Sequence, residues 1–587
     1  MYGSIRCSGQ RRCHCPSVRR LLTATTSRLA FTAIVIGLAI SSLCPAAAES
    51  TWLSHFRLTT SPDSSLTAYG NARSVANGPE GNVHIVWWEC LYGGWYEDLG
   101  IYHRVLDGTS WSDEDILTHG SCWYPRRAAI AIDGGGSVHT VWFEEGACGP
   151  PTSWEGSVIL YMRDGGQVEW LGNTYAILPN PSIAADAAGR VHVVWCDTGG
   201  GGSSVQYKGF NGSSWAPVES LSVSSGRSRQ ASVAASSGGK IHVVWQEDRD
   251  GNWEIYYRWF DGSGWQAEER LTDTPYASRN PSICTGQGDT VYVAWSEGVD
   301  GESHILCSVG CDGTWSAADQ VTVAPDAWDD PNIAASGDGV VHVVWSGVNE
   351  TNSSIFYSSR ESQVWSNTRK VAGGSFDARG ASVAVDGDGN AHIVWHDDRE
   401  GNYEVFWTGR YKGDLAQPVV TGLVPDRNLS CEALTGIVIS GQNFLAPDSV
   451  RLEMDGQAPI RAENVRVITS ESIVCDLNLA GAHFGSWNVV VKNPDGQTGE
   501  LESGFEVLPL SKPSLVSIEP NSGPSGLGLH IDNIVGSEFV SPSVVWLIRT
   551  GESALKCANV LVGSPNSIAC DVSLEGASPG LWDVVVE

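Results

Sequence analysis

A five-residue phrase returns seven times along this chain and limits the folds open to it. Its clean copies read Val-His-Val-Val-Trp, as in residues 191–195 and 341–345. A repeat of this length indicates an array of similar structural units. The tryptophans that close the phrase are separated by 55, 53 and then four times by 50 residues: Trp87, Trp142, Trp195, Trp245, Trp295, Trp345 and Trp395.

Residues 229–272 show what one unit contains. Short runs of β-branched and aromatic residues alternate with turns such as Asp248-Arg-Asp-Gly-Asn252 and Asp261-Gly-Ser-Gly264. Such runs, bounded by Gly, Asp, Asn and Ser, predict β-strands joined by tight turns. Four strands in about fifty residues are typical of one propeller blade. The sequence therefore predicts an all-β fold, with a seven-bladed β-propeller over residues 49–414.

The two ends of the repeat array predict how the ring closes. The fourth strand of a repeat carries a tryptophan and, six residues later, an aliphatic side chain, as in Trp265 and Leu271. The seventh repeat lacks this strand, but the N-terminal residues 52–59 carry the same interval in Trp52 and Leu58. We expect this N-terminal strand to complete the last blade, which would leave no open sheet edges.

The N-terminus predicts export. Residues 1–48 combine six arginines, an apolar stretch at 29–43 and the small residues Ala46-Ala-Ala48 before Glu49. This is the pattern of a secretory signal peptide. No later apolar stretch is long enough to span a bilayer. We expect a secreted or cell-surface protein without a transmembrane span in its mature chain.

After the propeller the period breaks and a ninety-residue unit appears twice. Cys475 and Trp487 in the first copy are twelve residues apart, as are Cys570 and Trp582 in the second. Short alternating strands with Pro/Gly turns predict immunoglobulin-like sandwiches. The second copy stops before its last predicted strand, so we expect more chain beyond residue 587. The predicted segments are a linker at 415–418, a first sandwich at 419–507, a linker at 508–513 and a second sandwich at 514–587.

Net charge and cysteine content limit the classes of partner and of metal site that this chain can have. The net charge of −31 argues against nucleic acid and anionic membranes as partners. An exported chain favours disulfides over free thiols. Zinc is the rival use of cysteine, but the chain has no CxxC pairs, and we predict neither a metal nor a cofactor. The predicted disulfides are Cys307–Cys311, Cys431–Cys475 and Cys557–Cys570.

Arginines recur at one position, just before the innermost strand of a repeat, and make the leading candidate site. That position faces the mouth of the central channel, together with loops that carry Arg249 and Arg399. Guanidinium groups bind carboxylates and sugar hydroxyls well. Alternatively, these arginines pair with neighbouring aspartates and hold the blades together. The position is filled by Arg126, Arg229, Arg279 and Arg379, and in the other repeats by Asn71, Pro179 and Asp329.

Two further patterns favour structural roles. The recurring histidines lie one blade apart on the second strand, so they do not converge on a metal, and Tyr292 replaces the histidine in the fifth repeat. The phrase Asp386-Gly-Asp-Gly-Asn390 lacks the twelve-residue EF-hand spacing and predicts a hairpin turn. The histidines are His84, His139, His192, His242, His342 and His392.

Two family resemblances follow from particular phrases. Asn280-Pro-Ser-Ile283 and residues 395–405 resemble secreted bacterial sialidase-like proteins with BNR-type repeats. Residues 439–444 and 489–496 resemble IPT/TIG domains, which implies spacer or interaction modules. The first resemblance implies a possible glycosidase, which would need three arginines, a Tyr/Glu nucleophile pair and an acidic Asp. Turns such as residues 260–265 are degenerate Asp-boxes, and we can assign no Tyr/Glu pair and no acid.

From these patterns we predict a non-catalytic binding protein, secreted or held at the cell surface. The propeller would be a monomer that presents a glycan or an extracellular protein at its arginine-bearing face, with the C-terminal modules as a stalk. The main alternative is a sialidase-like glycoside hydrolase. A structural repeat protein of the cell envelope is the third possibility.

Overall fold

The computed structural model describes residues 50–587 apart from internal gaps, and all structural statements concern those residues. The predicted export signal lies outside them, as do Cys122, Cys148 and Cys431. Within the described chain, no helix is both long and apolar enough to cross a membrane. The gaps are 69–70, 91–99, 108–109, 120–123, 146–155, 177, 199–201, 223–225, 300–301, 312, 324–326, 350–351, 414, 430–432, 446–448, 509–511 and 540–542.

The regular secondary structure of the described chain is β-strand apart from a 3₁₀ turn at Gln287–Asp289. Antiparallel sheets follow one another between residues 51 and 411, and we number them 1 to 7 in chain order. The chain first forms two short strands, β1 (Thr51–Trp52) and β2 (Phe56–Arg57). Sheet 1 then contains β3 (Ser64–Leu66), β4 (Val75–Asn77), β5 (Val83–Cys90), β6 (Gly100–Asp107), β7 (Ser110–Trp111) and β8 (Asp115–His119).

Sheets 2 to 4 are four-stranded meanders whose first strand lies innermost. Sheet 2 contains β9 (Tyr124–Ile132), β10 (Val138–Glu145), β11 (Ser157–Arg163) and β12 (Glu169–Thr174). Sheet 3 contains β13 (Ser182–Ala185), β14 (Val191–Asp197), β15 (Ser204–Phe210) and β16 (Glu219–Ser220). Sheet 4 contains β17 (Ser228–Ala235), β18 (Ile241–Glu247), β19 (Glu254–Phe260) and β20 (Glu269–Arg270).

Sheets 5 to 7 repeat this plan, and sheet 7 takes its outer strands β1 and β2 from the N-terminus. Sheet 5 contains β21 (Ala277–Thr285), β22 (Val291–Val299), β23 (Glu302–Cys311), β24 (Thr314–Trp315) and β25 (Asp319–Gln320). Sheet 6 contains β26 (Ala327–Ala335), β27 (Val341–Asn349), β28 (Asn352–Glu361), β29 (Val364–Trp365) and β30 (Arg369–Ala372). Sheet 7 is completed by β31 (Ala378–Val385), β32 (Ala391–Asp397) and β33 (Glu404–Tyr411).

The recurring phrase forms the second strand of each sheet, which lies between two neighbours and is buried. In β18 every residue is buried, and the indole of Trp245 is fully enclosed. Its Nε1 donates to Glu247 Oε2 at 2.9 Å, and Trp395 donates to Asp397 in the same way at 2.7 Å. A carboxylate two residues after the tryptophan therefore satisfies a buried indole N–H.

The innermost strands contact one another in a closed cycle. Each of β4, β9, β13, β17, β21 and β26 touches the next, and β31 touches β4 again. Hydrogen bonds between equivalent positions connect neighbouring innermost strands. In each, a serine or asparagine side chain of one strand accepts a hydrogen bond from a backbone N–H of the next strand in the ring. Ser182 Oγ accepts from Val233 at 3.3 Å, and Asn332 Oδ1 accepts from Val383 at 3.0 Å. Ser232, Ser282 and Ser382 do the same for Ile283, Ile333 and Ser74. Residues 51–411 thus form the closed ring of sheets of a β-propeller.

The outer edge of sheet 7 pairs with the N-terminus. Thr51 lies opposite Tyr411, and Phe56 lies opposite Trp407. Arg57 Nη2 contacts Glu404 Oε1 at 2.7 Å, and Glu404 is fully buried. The same contact occurs inside sheet 4, between Arg270 and Glu254 at 2.9 Å. The N-terminal strands therefore reproduce the side-chain contacts of a continuous sheet.

These two equivalent ion pairs give a matched test of ring closure. We expect Arg57→Met and Arg270→Met each to destabilise the fold by about 2–4 kcal/mol, because each leaves a buried carboxylate unpaired. Only Arg57→Met should also speed limited proteolysis within residues 51–63, since only there does the pair hold a strand that no hairpin turn connects to its neighbour in the sheet. Equal cleavage of both variants in that segment would contradict this role.

An insertion in the first sheet occupies the channel axis. The innermost strand of sheet 1 is divided into β3 and β4, and the described residues between them, 67, 68 and 71–74, are called the hub segment. Its Asn71 and Arg73 side chains donate to backbone carbonyls of sheets 3 to 6. The sequence comparison placed Asn71 in the arginine position of its repeat, and that placement is wrong because the strand is interrupted there.

Most of the recurring histidines bind a tyrosine within their own sheet. His242 Nδ1 lies 2.7 Å from Tyr257 Oη, and His342 Nδ1 lies 2.8 Å from Tyr357 Oη. His139 and His192 bind Tyr161 and Tyr207 in the same way, whereas His84 contacts His103 and His392 contacts Asp386. No group of three or more metal-binding side chains converges among the described residues.

Burial of these histidines makes stability depend on pH. It lowers the pKa of His192 to about 4 and that of His342 to about 3. They stay neutral in the folded state, while the unfolded chain takes up protons below pH 6.5. We therefore expect stability to fall as the pH drops from 6.5 towards 4.

A paired substitution tests this pH dependence, because sheet 5 carries Tyr292 and Cys307 where sheet 6 carries His342 and Tyr357. His342→Tyr with Tyr357→Cys should reduce the acid-induced loss of stability by about 2 kcal/mol at pH 4.5. Urea unfolding at pH 8 and pH 4.5 measures it. An unchanged difference between the two pH values would rule out the histidine as a cause.

The predicted disulfide Cys307–Cys311 is wrong. Both cysteines are free thiols on β23, and four residues along one strand separate Cα atoms by about 13 Å, too far for a bond. Cys475 is a free, buried thiol, and its predicted partner Cys431 lies outside the described residues. Cys557 and Cys570 are free thiols whose side chains are hydrogen-bonded to each other, so this pair stays a prediction.

Two further β-units follow the ring. The first encloses a core around Trp487, Phe444 and Phe505. Its strands are β34 (Val419–Val424), β35 (Arg427–Leu429), β36 (Ala433–Gln442), β37 (Ser449–Glu453), β38 (Ile460–Thr469), β39 (Ser472–Asn478), β40 (Gly485–Lys492) and β41 (Thr498–Leu508). Ser54 N and Oγ both donate to Pro494 O at 2.9 Å, which joins this unit to the N-terminal strands.

The second unit contains two smaller sheets, one of four strands and one of three. Its core includes Ile531, Phe539 and Cys570. The strands are β42 (Ser514–Glu519), β43 (Gly528–Ser537), β44 (Val545–Ile548), β45 (Leu555–Lys556), β46 (Ala558–Ser564), β47 (Ser567–Ser573) and β48 (Asp583–Val586).

Candidate binding site at the channel mouth

The innermost strands begin with a bulge that turns one side chain per sheet towards the mouth of the channel. In β17 the pairing with β18 shifts between Arg229 and Ser232, and β21, β26 and β31 shift at the same point. Bulges of this kind re-aim side chains and are common beside functional sites. The residue in the bulge has a positive φ in sheets 2 to 7: Arg127 (52°), Asn180 (44°), Gln230 (53°), Asn280 (52°), Asp330 (49°) and Gly380 (63°).

Five of these residues carry polar side chains, and we call them the polar ring: Arg127, Asn180, Gln230, Asn280 and Asp330. Hydrogen bonds run along it from sheet to sheet. Arg127 Nη1 donates to Asn180 Oδ1 at 2.6 Å, and the Asn180 amide donates to Gln230. Gln230 Nε2 donates to Asn280 Oδ1 at 3.2 Å, and Asn280 Nδ2 donates to Asp329 Oδ1 at 2.5 Å. A cation stands at one end of this series and a carboxylate pair at the other.

Asp330 is the most perturbed carboxyl group at the mouth. Burial and the adjacent Asp329 carboxylate raise its pKa to about 7, although Arg127 and Arg379 act in the opposite direction. Asp330 is half-buried, whereas Asp329 is exposed. The Asp330 carboxyl group is therefore partly protonated near neutral pH and can donate or accept a hydrogen bond.

The arginines predicted from the sequence lie one residue before the polar ring, on its outer rim. Arg126 contacts Glu145 at 3.4 Å, and Arg379 Nε contacts Asp377 Oδ2 at 2.7 Å. Arg229 lies over the Trp253 ring at 5.6 Å, and Arg279 is exposed. The residues that face the axis are thus the next ones along, which the sequence comparison missed because their chemistry differs between repeats.

The two predicted loop arginines are held within their own sheets. Arg249 contacts Glu247 at 2.7 Å and Glu268 at 2.6 Å, and lies 4.1 Å from the Tyr256 ring centroid. Arg399 binds both carboxylate oxygens of Asp397, at 2.8 and 2.5 Å. These contacts favour the structural alternative for both arginines.

A groove of about 510 Å³ opens from the polar ring between sheets 3 and 4. Asn180, Gln230 and Asn280 of the polar ring line this groove together with Tyr175 and Arg229. The Tyr175 side chain is 54% exposed. An exposed aromatic face, a guanidinium and several amides are suited to a sugar, which presents both apolar C–H faces and hydroxyl groups. The volume fits a mono- or disaccharide.

A tyrosine and a carboxylate meet beside one rim arginine. Tyr403 Oη donates to Asp377 Oδ2 at 2.8 Å, and Arg379 binds the same oxygen. Burial and the Asp377 carboxylate raise the pKa of Tyr403. A phenol that acts as a nucleophile needs the opposite shift or a base that removes its proton, and Asp377 is the only base that this contact offers.

The positive φ of the polar ring predicts a stability difference between two substitutions at one position. Gln230→Gly and Gln230→Ala remove the same hydrogen bonds, but glycine adopts φ near +53° without strain. The glycine variant should therefore be more stable than the alanine variant by about 1 kcal/mol in urea unfolding. An alanine variant of equal or greater stability would show that the bulge is not strained.

No protein-family model matches the sequence, and no curated protein matches it. Among solved structures, a polysaccharide lyase of family PL25, an ulvan lyase bound to a sugar, is 12% identical, with a TM-score of 0.39 over 58% of this chain and 94% of that chain. A protein of unknown function from Dyadobacter fermentans is 12% identical, with a TM-score of 0.38 over 61% and 99%. The intramolecular trans-sialidase of Ruminococcus gnavus is 10% identical, with a TM-score of 0.33 over 60% and 96%. Similarity this distant assigns no residue roles.

Proposed function

We propose that this protein is an exported glycan-binding protein in which a seven-bladed propeller presents the channel mouth to its ligand. The observation that carries the proposal is the junction of the polar ring with the groove that Tyr175 and Arg229 line. The two C-terminal units act as an immunoglobulin-like stalk. The ring supplies fixed amides for hydroxyl groups, and the groove supplies an aromatic face.

The charges at the mouth favour an acidic glycan. Arginines gather on the rim of a chain whose net charge is −31. A local group of cations on an acidic surface selects an anionic ligand and keeps neutral ones weakly bound. The arginines concerned are Arg126, Arg229, Arg279 and Arg379 on the rim and Arg127 in the polar ring beside it.

A glycan array with the full chain tests this proposal. We expect binding to acidic oligosaccharides, and Arg229→Ala or Arg279→Ala should weaken it about ten- to a hundredfold, because each removes a charge-assisted contact. Arg190→Ala is the matched control: Arg190 is a half-exposed arginine paired with Asp186 in the turn that follows β13, at the opposite end of this strand from the mouth. Absence of binding to any glycan, or an equal loss with Arg190→Ala, would defeat the proposal.

The Asp330 carboxyl group predicts how binding depends on pH. Its pKa of about 7 means that raising the pH from 6 to 8 adds a negative charge beside Asp329. Affinity for an acidic glycan should therefore fall about threefold or more over this range. Asp330→Asn should remove the dependence and keep the affinity measured at pH 6. A pH profile unchanged by Asp330→Asn would exclude this residue as its source.

A sialidase-like hydrolase is the second candidate, favoured by the contact of Tyr403 with Asp377 and Arg379 and by the raised pKa of Asp330. In that case Tyr403 would be the nucleophile and Asp330 the acid. Turnover of sialosides or other glycosides that is lost in Tyr403→Phe would establish it. Glycan binding without turnover, unaffected by Tyr403→Phe, supports the binding protein.

A further inference from the structure

The hub segment divides the channel into two parts, and the part away from the mouth contains an unexplained cation. Arg73 reaches across the axis, where its Nη2 donates to Ile283 O at 2.6 Å and more weakly to Ile333 O at 3.5 Å. Beyond it lies a cavity of about 200 Å³, lined by the C-terminal halves of the innermost strands. Arg73 and Asn77 are the polar side chains from sheet 1 in its wall.

Arg73 has no anionic partner in the described part of the chain. Each ion pair in that part of the chain is formed by a cation other than Arg73. Arg73 itself donates hydrogen bonds only to neutral carbonyl groups. Its other close ionisable neighbour is Cys284, and burial raises the pKa of that thiol to about 12, so it is neutral at physiological pH. Arg73 is half-buried, and this burial lowers its pKa.

A partly buried cation without a counter-ion is costly, because two carbonyl dipoles replace only part of the hydration that it loses. A guanidinium group has five N–H donors. The carbonyl oxygens of Ile283 and Ile333 accept hydrogen bonds from only one of its nitrogens, Nη2. The Asn77 amide lies in the same wall, and neither its oxygen nor its nitrogen has a partner among the described groups. The cavity is large enough for a small ion with water.

From these observations we propose that the cavity is an anion-binding site, in which Arg73 holds a small monovalent anion, a halide or a short carboxylate such as acetate. The anion completes the hydrogen bonding of the guanidinium and stabilises the hub segment against the surrounding sheets. This site lies on the other side of Arg73 from the mouth and is independent of glycan binding.

Thermal unfolding of the full chain at constant ionic strength tests the proposal. Sodium gluconate, whose six-carbon anion is far larger than bromide or acetate, is replaced stepwise by sodium bromide or sodium acetate. The midpoint of the wild-type protein should rise by about 3 °C or more with saturation. A response to bromide alone identifies a halide site, and a response to acetate alone identifies a carboxylate site. A wild-type midpoint that responds to neither anion would overturn the proposal.

Two variants locate the response. Asn77→Asp places a carboxylate in the cavity wall, so it should raise the midpoint in gluconate and abolish the response to both anions. Arg73→Met should also abolish the response, whereas Arg190→Met should keep it. If Arg73→Met does not fold, Asn77→Asp still decides: a response as large as that of the wild type means that the anions act elsewhere.

In a crystal grown with bromide, an anomalous peak beside the Arg73 guanidinium is expected, and only peaks at the surface would contradict the assignment.

Discussion

The hydrogen bonds of the hub segment link the ring, because its described residues contact each of the six other sheets. Asn71 donates to carbonyls of sheets 3 and 4, and Arg73 donates to carbonyls of sheets 5 and 6. Arg73 O accepts from Ile130 of sheet 2 at 2.9 Å, and Thr67 Oγ1 donates to Gly380 O of sheet 7 at 2.7 Å. In a propeller each sheet usually contacts only the two sheets beside it, whereas here one chain segment contacts all the sheets directly.

The hub segment also explains the form of the mouth. Because Asn71 and Arg73 lie across the axis, the channel is blocked below the polar ring, and the mouth is a closed-ended depression. The polar ring forms the wall of that depression. A binding site with a fixed floor keeps its amides in place, which reduces the entropy lost when a ligand binds. The positive φ angles at Gln230 and Asn280 are held by the hydrogen bonds between sheets.

The sequence predicted the regular part of this architecture because each repeat obeys the same local rules. Alternating β-branched residues and glycine turns indicate strands without reference to the rest of the chain. The likeness of residues 52–59 to 265–272 pointed to the pairing of Phe56 with Trp407 for a physical reason, since both strands must supply an arginine and a threonine to a buried glutamate. The sequence prediction placed the axis-facing residues one position too early, at the rim arginines. The residue in the bulge of each innermost strand has no fixed type, so the repeats did not reveal it.

The irregular features could not be read from the repeats. The hub segment interrupts a strand before Trp87, so the spacings between the seven tryptophans contain no trace of it. The direction of Arg73 depends on carbonyls more than 200 residues away in the chain, which no local pattern contains. The proposed disulfide Cys307–Cys311 failed for the related reason that closeness in sequence along a strand means separation in space.

Native-state hydrogen exchange in Asn71→Ala tests the hub most directly. The amide protons of Val233, Ile283, Ile333 and Val383 bond to side chains of the preceding sheet, and so report on each junction separately. If the hub holds all sheets at once, protection should fall at all four amides, including Ile333 and Val383, which Asn71 does not touch. A loss confined to Val233 and its neighbours in sheets 3 and 4 would show that the sheets hold one another and that the segment only fills the channel.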